Sequence, residues 1–288
     1  MSENIKIDEF LQSNSWRKFQ ESLGRKTFDV GQGYGVITPM PFGLKSFYVP
    51  RLDLNSNELE KVIQLAKDNN CLFVRYEPIY DLKYKGFIKT KDHQPSNVLI
   101  ADLSLDEERL ESELHTKTRY NIKLAQKKGV EVDFGKEEYL NDFLKLISQT
   151  YSRKNISTHS LDYYSQIVKN IPEAFIAVAK VDGNVIVANL CIKHGNTVTY
   201  LHGGSDNEHR AYMAPHLLQW AQILQAKRDG FKYYDFGGIA PNDDQKHPWA
   251  GITRFKYGFT QNKIGYPGTF EYPISPLYFL YKIYTKLR

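Results

Sequence analysis

Lys256 lies in the stretch Arg254-Phe255-Lys256-Tyr257-Gly258-Phe259, a cation with an aromatic residue on either side. Aromatic walls would partly desolvate such a cation and strengthen its field on a developing oxyanion, so stabilising a tetrahedral intermediate is one chemistry open to it. An exposed face of an alternating strand, with Arg254 and Lys256 side by side in the pleat, accounts for the same residues. A second group of cations, Arg119, Lys123 and Lys127, recurs every fourth residue, with Lys117 and Lys128 nearby and no acid between residues 117 and 128. On a helix these three share a face, which suits a phosphate backbone and equally suits a solvated surface. His202-Gly203-Gly204-Ser205 and Asp235-Phe236-Gly237-Gly238 each put a Gly-Gly pair at an expected strand end. Either alone reads as turn flexibility; together they predict a cleft where a ligand approaches the backbone.

Other chemistries lack their minimum parts. Gly31-Gln32-Gly33-Tyr34-Gly35-Val36 begins like a dinucleotide fingerprint but has Val36 in place of the third glycine, which reads as a turn. The chain has no phosphate-loop lysine motif, no zinc-protease helix motif and no serine-nucleophile elbow. His202, His209 and His216 span a strand end, a loop and a helix start, so no metal site is expected. Cys71 and Cys191 have no metal-ligand spacing and read as buried free thiols in a reducing compartment.

The elements that must position these residues follow from periodicity. Residues 8–23 read as a helix, with Phe10, Leu11, Trp16, Phe19 and Leu23 inward. Strands are expected at 26–30, 34–40, 45–50 and 71–78, with a helix at 56–69 whose Leu59, Val62, Ile63 and Ala66 line one face. One long helix is expected from about Asp106 to Lys128, stopping at Gly129. A strand at 130–134 and helices at 137–150 and 160–169 come next, and then a meander over 174–205 with turns at Asp182-Gly183 and His194-Gly195-Asn196. A helix at 214–229, opened by Pro215, and a strand at 231–239 complete it.

Meander, helix and strand in this order are the layout of the acetyltransferase-like fold, and 26–78 echo it. The fold class expected is α/β (α+β), two such subdomains in tandem with mixed sheets. In that fold an acyl-CoA pyrophosphate is held by a glycine turn before the central helix, but Arg210-Ala211-Tyr212-Met213-Ala214-Pro215 has Met213 in the glycine slot.

The 288 residues, 41% hydrophobic, suffice for one large or two modest cores, and a net charge of +5 permits a polyanionic partner without demanding one. Twenty tyrosines and sixteen phenylalanines suit β-rich cores or ring-lined clefts. The N-terminal MSENIKIDEF lacks a signal-like apolar run, and no stretch approaches the ~18–20 apolar residues of a membrane span, so a cytoplasmic protein is expected.

Five ordered blocks carry a more specific likeness. Residues 10–20 (FLQSNSWRKFQ), 48–51 (YVPR), 117–132 (KTRYNIKLAQKKGVEV), 200–220 with 233–239, and 251–259 (GITRFKYGF) follow one another as in a known family. The chain resembles the Fem family of peptidoglycan-bridge aminoacyltransferases, the FemXAB-like proteins, nearly end to end. The resemblance implies subdomains at 1–105, completed by 266–288, and at 106–265. It implies no bound cofactor and no metal, the acyl donor being an aminoacyl-tRNA and the acceptor an amine on the stem peptide of lipid II or UDP-MurNAc-pentapeptide. It implies Lys256 as the lysine that stabilises the transferring ester. Lys18, and His159 with Tyr163, fall where family members grip the precursor, and His202 falls at the family's Tyr-or-His cleft position. Two departures stand out: YVPR continues Leu52-Asp53 rather than Gly-Pro, and there is no room for the coiled-coil arm of some members, which leaves the Arg119, Lys123 and Lys127 face as a substitute for tRNA contact.

An acyl-CoA-dependent N-acyltransferase and a non-catalytic tRNA- or membrane-binding module are the alternatives. The last segment, Pro276 to Arg288, mixes apolar residues and tyrosines with Lys282, Lys286 and Arg288. Its basic end is expected to rest near anionic lipid of the inner leaflet while the rest packs on the first subdomain; a packed helix with solvated lysines is the other reading.

Overall fold

The computed structural model describes residues 5–154, 159–241, 244 and 246–286, without the side chains of Lys154 and Lys286. In chain order the first elements are α1 (Asn14–Ser22), β1 (Thr27–Val30), β2 (Gly33–Pro39), β3 (Lys45–Val49), α2 (Ser56–Asp68), β4 (Phe73–Tyr76), β5 (Ile88–Lys89) and β6 (Asn97–Asp102). Then come α3 (Glu107–Glu113), α4 (Thr116–Lys127), β7 (Glu131–Gly135), α5 (Leu140–Lys154), α6 (Leu161–Asn170), β8 (Ala174–Val181), β9 (Asn184–His194) and β10 (Thr197–Ser205). The chain closes with α7 (Ala214–Arg228), β11 (Tyr233–Gly238), α8 (Ala250–Tyr257), β12 (Lys263–Gly265), β13 (Phe270–Pro273) and α9 (Leu277–Lys286).

The chain forms two compact bodies, Leu11–Ser96 with Gly265–Arg288, and Met1–Phe10 with Asn97–Ile264. In the first, the strand order is β1-β2-β3-β4-β13-β5. β2 and β3 are antiparallel, while β3 and β4 are parallel and joined through α2. Helix α2 starts in a capping box: the Asn55 side chain accepts from the Glu58 N–H at 3.1 Å and Glu58 Oε2 accepts from the Asn55 N–H at 2.8 Å. Leu59, Val62, Ile63 and Ala66 form its buried face, against Phe47, Val49 and Val74. Strand β13, absent from the sequence reading, pairs with β4 and carries Glu271 into the core. Glu271 is satisfied there by Arg75 Nη2 at 2.7 Å, Lys282 Nζ at 2.8 Å and the Tyr278 hydroxyl at 2.9 Å, as a buried carboxylate requires.

In the second body the order is β12-β6-β11-β10-β9-β8-β7. The expected meander is present as β8-β9-β10, and α7 crosses over to set β11 parallel to β10. The antiparallel-then-parallel arrangement of the first body thus recurs. A division at residue 105 would leave β6 in the first body, but its ladder with β11 puts it in the second. The single helix expected over 106–128 is two helices, because Leu114 turns to extended backbone and His115 Nδ1 caps α4 by accepting from the Lys117 N–H. Both cysteines are free and buried. Among the described residues the longest helices, α5 and α7, have 15 residues each, and no helix is long and apolar enough to cross a membrane.

Candidate active site

Strands β10 and β11 run together only where Thr197–Thr199 face Tyr233–Asp235. Beyond that, β10 shifts register against β9 between Tyr200 and His202, and β11 shifts against β6 between Asp235 and Gly238. Asp235 Oδ1 accepts from the Gly237 N–H at 2.7 Å, and Gly237 takes a φ of 71°, which only glycine adopts freely. The paired strands therefore part at a glycine turn, and the side chain beside that turn is Lys256.

Lys256 comes from α8, not from a strand. The pattern Phe255, Tyr257, Phe259 suggested alternation, but Thr253 and Lys256, three apart, are the inward positions. Thr253 Oγ1 accepts from the Ala240 N–H at 2.8 Å, and one turn later Lys256 Nζ donates to the Gly238 carbonyl at 2.7 Å. The ring beside the ammonium is Tyr200, 5.8 Å from Nζ to centroid, rather than either sequence neighbour. Phe255 instead meets the His216 and Phe259 rings edge-on. Lys256 is only 6% exposed, and burial lowers its pKa to about 8, with the Asp235 carboxylate opposing the shift. Near neutral pH it is a largely desolvated cation.

The register shift at Tyr200 turns His202 into a group of rings. His202 lies 5.0 Å from Tyr164 and 6.0 Å from His159, and His159 stacks on Tyr163 at 4.1 Å. Ser160 caps α6 by accepting from the Tyr163 N–H at 3.2 Å, which fixes the first turn of the helix that bears Tyr163 and Tyr164. Desolvation among them, with His159 adding, lowers the His202 pKa to about 3, so its imidazole is neutral at physiological pH. Tyr151, packed by Tyr164, has its hydroxyl pushed up to about 12 by burial. The structure thus brings His159, Tyr163 and His202 together, and adds Tyr164 and Tyr200, which no motif marked. Tyr164 directly follows Tyr163, and Asp235 is the first residue of the second Gly-Gly block.

The Gly203-Gly204 pair is not space for a ligand. A Cβ at Gly204 would sit 2.4 Å from the Leu146 carbonyl carbon and 2.5 Å from the Ile147 nitrogen of α5. One at Gly203 would meet the Tyr200 hydroxyl at 2.3 Å and Asn189 Oδ1 at 2.4 Å. These glycines admit a helix backbone and a tyrosine. The cation face of α4 is likewise modified. Arg119 Nη1 donates to the carbonyls of Glu111, Ser112 and Leu114, closing the end of α3. Lys123 pairs with Glu111 Oε1 at 3.4 Å across exposed surface, so the acid missing from residues 117–128 is supplied by the preceding helix. Lys127 is exposed. Lys18 is exposed on α1 of the first body. Among the described residues no group of His, Cys, Asp and Glu could hold a metal.

Known proteins resemble this chain along most of its length. The model of the FemAB family matches residues 48–184 and 173–287. A lipid II:glycine glycyltransferase of Staphylococcus haemolyticus is 23% identical, covering 77% of this chain and 68% of its own. Over a shorter stretch, 32% of this chain and 22% of its own, the aminoacyltransferase FemA of Staphylococcus epidermidis is 34% identical. The crystal structure of FemX superposes with a TM-score of 0.79 at 18% identity, over 94% of each chain. A tandem GNAT protein from the clavulanic acid biosynthesis pathway superposes with a TM-score of 0.51, over 86% of this chain and 82% of its own. The mixed α/β class and the doubled acetyltransferase-like arrangement expected from the sequence are those of these structures.

Proposed function

The chain belongs to the FemAB family, and from that premise we propose that it transfers an aminoacyl group from aminoacyl-tRNA to an amine on the stem peptide of a peptidoglycan precursor, lipid II or UDP-MurNAc-pentapeptide. The names of its relatives, glycyltransferase on lipid II and aminoacyltransferase, support the reaction class. The observation that carries the chemistry is Lys256, a buried cation held at the point where β10 and β11 part. In the proposed reaction the neutral amine attacks the ester carbonyl and the negative charge collects on its oxygen. The ester C–O bond to ribose then breaks, and the ribose oxygen leaves with the proton given up by the amine. An ester is activated enough that orientation and oxyanion stabilisation suffice, and a cation held in a dry site needs no reorganisation to provide the latter. His202, neutral and ring-lined, would serve as a polar wall for the acceptor rather than as a charge.

The donor is proposed to arrive as a charged tRNA, without a bound cofactor. Met213 supports this: it holds the glycine slot before α7 in the left-handed region at φ 55°, with its side chain packed on the core. The acceptor would be gripped by Lys18 and by His159 with Tyr163, and a lipid-linked acceptor would bring the chain to the anionic face of a membrane. Incubating the protein with a mixed aminoacyl-tRNA pool and each precursor, and reading the added mass, tests the whole. Acetyl transfer from acetyl-CoA without tRNA, or tRNA binding with no product, would replace this reading.

Two consequences are specific. Because Lys256 is charged below about pH 8 and neutral above, transfer should fall as pH rises through that value. Asp235→Asn removes the nearby negative charge that favours the ammonium, so the fall should begin at lower pH; an unmoved alkaline limb would remove Asp235 from this role. For tRNA, Lys127→Ala should reduce the log–log salt slope of binding by about 0.7–0.9, while Arg119→Ala should chiefly lower thermal stability by opening the α3 end. An unchanged slope in the Lys127 variant would mark that face as merely solvated.

A further inference from the structure

Helix α9 packs Tyr278 and Tyr281 against Leu72 and Phe73, yet carries a second apolar face on its outer side. Its Lys282 points inward, with Nζ 2.8 Å from Glu271 Oε2 and 2.9 Å from Thr90 Oγ1. Leu277, Leu280 and Ile283, spaced every third residue, are 55%, 64% and 57% exposed. A soluble surface helix usually turns a polar face outward. The expectation that Lys282 would serve as a lipid-facing cation is therefore overturned: the buried Glu271 carboxylate draws its half-buried ammonium to the packed side of the helix. Lys286 has no described side chain, and Arg288 lies outside the described residues.

The apolar face continues beyond the helix. Phe42 adopts a left-handed backbone, φ 63° and ψ 26°, which a phenylalanine rarely takes. That strain leaves its ring 77% exposed, edge-on to Tyr284 at 5.5 Å. Strain that displays an aromatic ring instead of burying it calls for a partner. The chemistry of that partner is indicated by charge. The sequence of residues 277–288 carries Lys282, Lys286 and Arg288 and no acid, and of these Lys282 pairs with Glu271.

We propose that the face formed by α9 and Phe42 docks in the headgroup region of an anionic lipid bilayer, with Leu277, Leu280, Ile283 and Phe42 inserted. Apolar insertion beside basic residues is how a helix lying in the interface binds, each part reinforcing the other. The docking stands on this surface alone; its purpose, holding the chain beside a lipid-linked acceptor, rests on the transfer reading. The test is co-sedimentation of the intact chain with mixed phosphatidylglycerol–phosphatidylcholine vesicles. Leu280→Glu with Ile283→Glu should weaken partitioning roughly a hundredfold, since two exposed apolar side chains lose their transfer into the interface. The melting temperature and transfer to the water-soluble UDP-linked precursor should be unchanged. Failure of the intact chain to bind these vesicles, or undiminished binding of the double variant, would overturn the docking. So would a dimer, seen by sedimentation velocity without vesicle binding and dissolved by the same substitutions, which would assign the face to a second copy. If vesicle binding holds while neither precursor is modified, the transfer reading fails and the lipid surface stands.

Discussion

Lys256→Met should lower the rate of aminoacyl transfer on the order of 10²–10³-fold, the usual cost of losing one contact to a developing oxyanion. The protein should remain folded. Lys256 makes its hydrogen bond to the Gly238 carbonyl beside the Tyr200 ring, in a place only 6% exposed. Burial holds its pKa near 8, below the ordinary 10.5, so the protonated side chain is disfavoured by folding. That penalty is full below about pH 8 and is relieved as pH rises from there toward 10.5. Methionine removes it and fills much of the same volume, so the melting temperature at neutral pH should hold or rise slightly. A single-turnover assay with preformed aminoacyl-tRNA, beside a thermal melt, separates the two effects. Retention of more than about a third of the rate, against the expected 10²-fold loss or more, would remove the catalytic assignment.

Gly204→Ala should destabilise the second body by about 3 kcal/mol or more, because the added methyl meets backbone rather than a movable side chain. Its Cβ would lie within 2.6 Å of the Leu146 carbonyl carbon, the Leu146 oxygen and the Ile147 nitrogen. Either β10 or α5 must retreat. The Thr150 Oγ1 bonds to the Ser205 N–H at 3.0 Å and carbonyl at 3.2 Å would loosen with that retreat. For a chain of this size the melting temperature should drop roughly 6–12 °C. Gly237→Ala, where the Cβ would have 3.3 Å to the nearest atom, should be milder on packing and costly mainly through its left-handed backbone. If Gly204→Ala melts as the parent does but loses acceptor affinity, the glycine pair faces a ligand after all.

Most of the fold was set by short-range pattern. The meander's alternation, the Asp182-Gly183 turn and the one-sided apolar face of α2 each fix an element from residues within a few positions of one another, and those elements are present. The residue types of the site were legible too, since Lys256, His202 and the Asp235 block stand out by composition. What tertiary structure decided was which neighbour each residue has. Local alternation made RFKYGF look like a strand, but the fold rewards burying Thr253 and Lys256 together against Ala240 and Gly238, and that requires a helix. Arg119 read as a free cation because the carbonyls it closes belong to a helix end that local pattern did not reveal. Lys282 read as solvent-facing because its partner Glu271 sits on β13, a four-residue strand too short to announce itself. A periodicity is a property of adjacent residues, whereas the charge of a buried lysine or the side of a helix that faces outward depends on groups far away in the chain.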